Sequence, residues 1–484
     1  MRLAEPARPR AVREHPRAGW FAVAAVCFGA VMGQLDASIV TLTFPALQRD
    51  FHAPLAGVQW VSLAYLLTLV GSVVAVGRLS DAAGRKLVYL YGFVVFTLAS
   101  VACAVAPGMG WLVGFRVLQA LGAAMLQANS VALIVTSVPR ERMRAAFGVQ
   151  AAAQALGLAL GPLIGGVLVA TLGWRWVFWV NVPVGCLALI AGRYLLPRTR
   201  SHARLGRFDW AGLVLLGAAT SAGLLALSGL SGLSMPATAV VMLVGIVAAT
   251  WAGFIWRERV ASSPLIDLAV LRPAAVSGGL IGALSAYLVL FGPLVLFPQT
   301  LTPHSGREAV TGALLTALPA GFAVAAVAAG RVLPVRWGPR PRCVLGAGMC
   351  VAAISALAAD PTAPVWVAGW LGVLGLGLGV FIPANNTTIM AAIPAAMSGT
   401  GGGLVNMARG LGTAIGVALV TLCLHLTRSE SALAGPRPAL AMLAMFAVAA
   451  GVTALTGQRA SPETGPEQRI NDDLVTINRR ILDR

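Results

Sequence analysis

An all-α polytopic membrane protein is the fold class this sequence predicts, on three observations. Hydrophobic residues fill 58% of the 484 positions and charged residues only 11%, a balance that water does not hold as a folded soluble chain. Mean hydropathy is +0.82. Apolar runs of membrane-spanning length recur along the chain, with no charge-rich stretch of domain size between them. That excludes an attached soluble enzyme or nucleic-acid-binding module. The excess of 35 basic over 17 acidic residues is read as loops facing an anionic membrane surface, not as affinity for nucleic acid.

A bilayer core about 30 Å thick takes about 20 apolar residues to cross. Segments of that length lie at roughly 20–45, 55–77, 87–106, 111–137, 143–171, 175–195, 208–228, 235–257, 274–299, 308–332, 342–359, 364–390, 400–427 and 437–456. Fourteen transmembrane helices put both termini on one side. Glycine and proline inside them are tolerated where neighbouring helices satisfy the freed backbone groups. Five arginines precede the first run, as in a secretory signal, but the run continues through Asp36 to Pro45 without a convincing cleavage site. It is therefore expected to stay as the first span. With the amino terminus inside, 28 of the 35 Lys and Arg fall on that side; Arg49, Arg175, Arg307, Arg428 and Arg437 fall opposite, and Arg116 and Arg409 lie within spans. The positive-inside rule then makes both termini cytoplasmic.

A weak internal repeat divides the chain. The segment 77–86, Gly-Arg-Leu-Ser-Asp-Ala-Ala-Gly-Arg-Lys, aligns with 330–340 after one insertion, and Trp111 and Asn129 of the fourth span pair with Trp370 and Asn385 of the twelfth. The expected organisation is an N-terminal segment 1–19, a six-helix half 20–200, a two-helix insert 201–260, a second six-helix half 261–456 and a cytoplasmic tail 457–484. Two such halves about a midplane cavity form a transporter architecture.

Of the 17 acids, only Asp36 lies well inside a span, where a carboxylate is costly unless paired, hydrated or protonated. Its protonation should respond to whether the surroundings are wet or closed, as a proton-coupled carrier needs. The plainer reading is a structural carboxylate near the outer interface. Arg116 must likewise find a carboxylate, carbonyl or water. Gln119 and Gln127 share nearly its helical face, and that stripe is expected to line the cavity; an arginine that only cross-links helices is the alternative. In the fifth span Gln150, Gln154, Gly157, Gly161 and Gly165 recur on one face beside Pro162 and Gly166, a period that admits a partner helix closely. Asn406 and Arg409 share a face and offer donors to an anionic or carbonyl-bearing ligand, unless helix-end carbonyls satisfy Arg409. Gln34, Asn129, Asn385 and Asn386 are further polar cavity candidates. Trp60, Tyr65, Tyr287 and Phe291 are candidate aromatic walls, although rings in spans more often pack or anchor.

Five ordered motifs in the first 212 residues resemble the major facilitator superfamily, in its 14-span drug:proton antiporter branch. Gly77, Asp81, Gly84, Arg85 and Lys86 match the loop signature Gly-x-Leu-x-Asp-x-x-Gly-Arg-Lys, and Gly157, Gly161, Pro162, Gly165 and Gly166 match the antiporter signature Gly-x-x-x-Gly-Pro-x-x-Gly-Gly. The segments 35–45, 174–183 and 208–212 resemble the branch's first span and later junctions, and 401–416 its thirteenth span. The resemblance implies a major facilitator fold and export of drug-like or natural-product amphiphiles for protons by alternating access. It also implies that Asp36 and Arg116 couple protons or gate substrate, and that Asp81 and Arg85 latch the halves on the cytoplasmic side.

Two departures matter. Ala120 replaces the usual glycine after Gln119, and Pro334 stands in the second loop where Asp81 stands in the first, so the charged latch is single. With few membrane carboxylates, a strongly cationic substrate fits worse than a neutral or amphiphilic one. A proton-coupled importer of a small metabolite would share the fold. An enzyme would need a catalytic cluster, whereas His15, His52, His202, His304 and His425 are scattered and no HExxH or paired carboxylates occur within a span. The six cysteines contain no CxxC and read as small core residues. No cofactor or metal is expected, the energy source being a proton gradient. Expected partners are substrate, protons and lipid, with the chain acting as a monomer. Abundant alanine and arginine with nearly absent lysine point to a bacterial inner membrane.

Overall fold

The apolar runs fold as helices in the computed structural model, which describes residues 7–53, 55–199, 209–230, 236–261, 264–266, 268–305, 314–334, 336–394, 397–427 and 436–456. The expected tail 457–484 and the start of the tenth expected span lie outside the described residues. Fourteen long helices are described: α1 Ala18–Ile39, α2 Leu55–Ala83, α3 Arg85–Ala104, α4 Met109–Ser137, α5 Arg140–Thr171, α6 Asn181–Leu195, α7 Trp210–Leu230, α8 Ala237–Val260, α9 Ala274–Ser305, α10 Ala317–Val332, α11 Pro339–Ala359, α12 Pro364–Ala391, α13 Ser398–Leu426 and α14 Arg437–Thr456. Twelve are long and apolar enough to cross a membrane, the stretch for α6 beginning at Trp176. The remaining two, α7 and α10, carry shorter apolar stretches, Trp210–Gly223 and Ala317–Val332. The expected fourteen spans therefore stand at twelve among the described residues.

Helical boundaries follow local chemistry. Pro339 and Pro364 open α11 and α12, where a missing N–H costs no hydrogen bond. Between α2 and α3 stands only Gly84, whose φ of 108° is open to glycine and strained for other residues. That one residue turns the chain sharply enough for Asp81 and Arg85 to face each other.

The halves meet through exchanged equivalents. Helix α2 packs on α13 and α5 on α10; α4 packs on α13 and α5 on α12. Second helix on fifth and fifth on second is the pairing a pseudo-two-fold axis produces. The insert sits at the side, with α7 against α2 and α8 against α7. Gly71 and Gly217 make that approach close, a Cβ on Gly71 coming 3.3 Å from the Gly217 Cα. Most of α8, including Val241, Met242 and Trp256, is exposed and turned to where lipid would lie.

Candidate functional site

Asp36 lies one turn before the end of α1, fully buried, and its partners come from two other helices. Arg116 of α4 donates from Nη1 to Oδ2 at 2.7 Å, while Gln119 and Asn181, at the start of α6, donate to Oδ1 at 3.0 and 3.3 Å. Arg116 also donates from Nε to the Val61 carbonyl at 3.1 Å and from Nη1 to Gln119 Oε1 at 2.6 Å, with its guanidinium 4.1 Å from the Tyr65 ring centre. Gln119 Nε2 reaches Ser100 Oγ at 2.8 Å. Ile39, Val58, Val61, Cys103 and Phe178 pack around this end of the bundle. In such surroundings the pair is supported by further hydrogen bonds to both partners, without which a buried ion pair does not recover its desolvation cost.

Nearer the middle of the bundle, a small cavity lies between Gly29, Ala30, Gly33 and Gln34 of α1, Leu126, Gln127 and Ser130 of α4, and Gln154 of α5. Two hydrogen bonds join this wall to the other half. Tyr287 OH of α9 donates to Gln154 Oε1 at 3.0 Å, and Asn406 Nδ2 of α13 donates to the Gln127 carbonyl at 2.7 Å. Asn406 Oδ1 in turn accepts from Arg409 Nη1 at 3.2 Å, Arg409 lies 5.3 Å from the Tyr287 ring centre, and Phe291 stacks on Tyr287 at 6.4 Å.

The expected polar stripe of α4 is thus divided. Gln127 lines the cavity, but Gln119 is turned to Asp36; eight residues of helix carry a side chain about 80° round the axis. Asn129 donates to the Met125 carbonyl of its own helix and Asn385 to the Gly279 carbonyl, so both tie backbone instead of lining the cavity. Trp60 is exposed, Tyr65 is buried beneath Arg116, and Asn386 and Gln150 are buried. The span 5 glycines receive α1: a Cβ on Gly157 would come 2.5 Å from the Val31 carbonyl, one on Gly161 would collide with Ser38, and one on Gly165 would come 2.6 Å from Ile39. Pro162 lies within α5, and Gly166 has nothing near it.

The loop signature forms a latch on the cation-rich face. Asp81 accepts from the backbone N–H of Gly399 and Thr400 at 2.8 and 2.7 Å and from Thr400 Oγ1 at 2.9 Å, while Arg85 Nε binds the same carboxylate at 2.9 Å. The donors are thus at the amino end of α13, where unpaired N–H groups and the helix dipole favour an anion. Lys86 takes the carbonyls of Arg193 and Leu196 at the end of α6. In the second half Arg342 instead binds the carbonyls of Ala329, Leu333, Pro334 and Trp337 and so closes its own loop. With no acid there, that loop contributes no carboxylate latch of its own.

Sequence reasoning missed a clamp on the opposite face, where Trp174 Nε1 and Arg175 Nη1 donate to Asp50 Oδ2 at 2.7 and 3.2 Å. The Trp174 hydrogen bond, aided by Arg175, holds the Asp50 carboxyl below the usual carboxylate range. Only an acid shortly after the first span and a Trp-Arg pair before the sixth signalled it.

A helical membrane bundle of two halves packed as exchanged equivalents, latched on one face and hydrogen-bonded to each other beside a small cavity, has the build of a transporter. Residues 26–417 match the Major Facilitator Superfamily, and the chain belongs to it, a superfamily of transporters and not of enzymes. Among similar proteins are the tetracenomycin C resistance and export protein of Streptomyces glaucescens, 32% identical over 426 residues covering 85% of this chain and 78% of that one. The multidrug resistance protein Stp of Mycobacterium tuberculosis is 30% identical, covering 81% and 73%. The riboflavin transporter RibZ of Clostridioides difficile is 27% identical, covering 82% and 87%. In fold, the proton:xylose symporter XylE is similar with a TM-score of 0.66 at 14% identity, over 92% of this chain and 96% of that one.

Proposed function

We propose that the protein exports drug-like amphiphiles across the cytoplasmic membrane in exchange for protons, by alternating access. The observation that carries the reading is the sealed Asp36–Arg116 pair on the same helix as the cavity: Gln34 lines the cavity two residues before Asp36. Protonation of Asp36 removes the charge that holds Arg116, leaving the guanidinium with the Val61 carbonyl, the Gln119 amide oxygen and the Tyr65 ring. Helix α1, which packs on α4, α5 and α6, is then free to shift against them, and its cavity-lining residues move with it. A proton arriving at Asp36 so becomes a change at the substrate site, and the two-state element is the packing of α1.

Relatives named for tetracenomycin C export and multidrug resistance support the export direction. The span 5 glycines support the antiporter reading by holding α5 tightly on α1. The test is proton flux in proteoliposomes with wild type and Asp36→Asn run together over a panel of amphiphiles. Substrate-stimulated proton release that vanishes in the variant is expected; undiminished coupling would remove Asp36 from the mechanism. The riboflavin transporter among the relatives favours a second reading, proton-coupled transport of a metabolite inward. Substrate accumulation measured in vesicles of both orientations decides between the two.

A further inference from the structure

Five cations are buried among the described residues, and four are answered, two by carboxylates and two by sets of backbone carbonyls. Arg116 meets Asp36 and Arg85 meets Asp81. Lys86 meets two helix-end carbonyls and Arg342 meets four carbonyls. Arg409 differs. It is 4% exposed in the first half of α13, it hydrogen-bonds the neutral amide oxygen of Asn406, and its Nε has no hydrogen-bond partner. The four buried acids among the described residues are engaged elsewhere: Asp36 and Asp81 as above, Asp209 with Arg257 at 3.1 Å, and Glu258 with the amides of Leu265 and Ile266. A guanidinium keeps its charge at any working pH, and a buried charge without an answering charge is costly.

We propose that Arg409 anchors the transported molecule and that the substrate therefore carries an anionic group: a carboxylate, sulfonate or phenolate that supplies the missing counter-charge. This rests on the transporter reading above and adds to it the charge of the substrate. Position supports it. Asn406 links Arg409 to the cavity wall at Gln127, and Tyr287, beneath the guanidinium, links it to the wall at Gln154. Gln150, one turn before Gln154, is 2% exposed and its Nε2 has no partner, so a neutral donor waits on the same face of α5. A planar anion matches the fork of a guanidinium, and charge-assisted hydrogen bonds gain strength away from water.

Equilibrium binding to the detergent-purified protein needs neither proton coupling nor a direction of transport, so its failure is distinguishable from failure of the export reading. The probes are 9-anthracenecarboxylate and 9-anthracenesulfonate, with the primary amide of the former as the uncharged match. Wild type is expected to bind both anions. Arg409→Gln weakens them at least tenfold and leaves the amide within twofold, and Arg409→Lys keeps part of the anion affinity. Equal loss of all three probes, no change in Arg409→Gln, or no anion binding by wild type at millimolar concentration overturns the proposal. A second measurement needs no ligand. Arg409→Gln should hold or raise the thermal midpoint of the ligand-free protein while Arg116→Gln lowers it. A fall as large as that of Arg116→Gln would show Arg409 already compensated and overturn the proposal.

Discussion

Asp81 accepts a hydrogen bond from the backbone N–H of Thr400 at 2.7 Å, so a carboxylate at the end of α2 caps the first turn of α13 across the two halves. A latch made from one side chain and one helix end holds only while that helix end stays against the carboxylate. Asp81→Asn keeps the shape and removes the charge. The loss is expected to be ~1–2 kcal/mol from charge-assisted bonding and the helix dipole. That amounts to a roughly five- to thirty-fold shift toward the form open on the cation-rich face. Electron–electron distance measurements between labels at the exposed positions Glu141 and Arg340 read it as a longer distance in the variant. An unchanged distance distribution would mean that other contacts close this face.

Sterics bear on the same seam. A Cβ on Gly77 would come 2.5 Å from the Gly399 carbonyl, which is backbone and cannot swing away. Gly77→Ala is therefore expected to open the face in the same direction as Asp81→Asn. Because both act through one interface, their effects should combine to less than their sum. Gly110→Ala, at a helical glycine with nothing within 4 Å, is the control and should leave the distances alone.

The buried pair yields a prediction that separates holding from coupling. Removing one partner leaves the other charged and unanswered, so Arg116→Gln alone should destabilise by ~3–5 kcal/mol. The double variant Asp36→Asn with Arg116→Gln should recover much of that, as two amides can hydrogen-bond each other. Thermal unfolding reads the stability and proton flux reads the coupling. Recovery of stability without recovery of flux assigns the pair to the transport cycle; recovery of both would leave it only a scaffold.

Much of this was legible in the sequence, for a physical reason. Hydrocarbon makes every charge conspicuous, so Asp36, Arg116 and Arg409 stood out one by one, and the motif 77–86 announced a tight charged turn. What distant residues do to one another was not legible. Nothing in spacing shows that Asn181 reaches Asp36 from 145 positions away, or that Asp81 faces Thr400 across 319. Helical phase also misled where it was used loosely, since it placed Gln119 with Gln127 although the two point to different neighbours. Asn129 and Asn385, read as cavity groups, turn back to carbonyls because a membrane interior offers amides few other partners.

The two-helix insert carries the last prediction. Where α8 ends, Glu258 accepts from the N–H groups of Leu265 and Ile266 at 3.2 and 3.0 Å, and Arg78 donates to the Pro264 carbonyl. Arg257 pairs with Asp209 at the start of α7. The connector into the second half is thus tied to the residue next to Gly77, at the seam between the halves. Glu258→Gln keeps one acceptor oxygen and replaces the other with a donor that cannot serve two N–H groups. Hydrogen bonds to a charged group are worth ~1.5–3 kcal/mol, so amide exchange at Leu265 and Ile266 should accelerate roughly ten- to a hundred-fold. Exchange at Val88 and Phe93, buried in α3, should not change. If the Leu265 and Ile266 amides stay protected in the variant, the connector is held by packing alone and the insert is not fastened to the latch through Glu258.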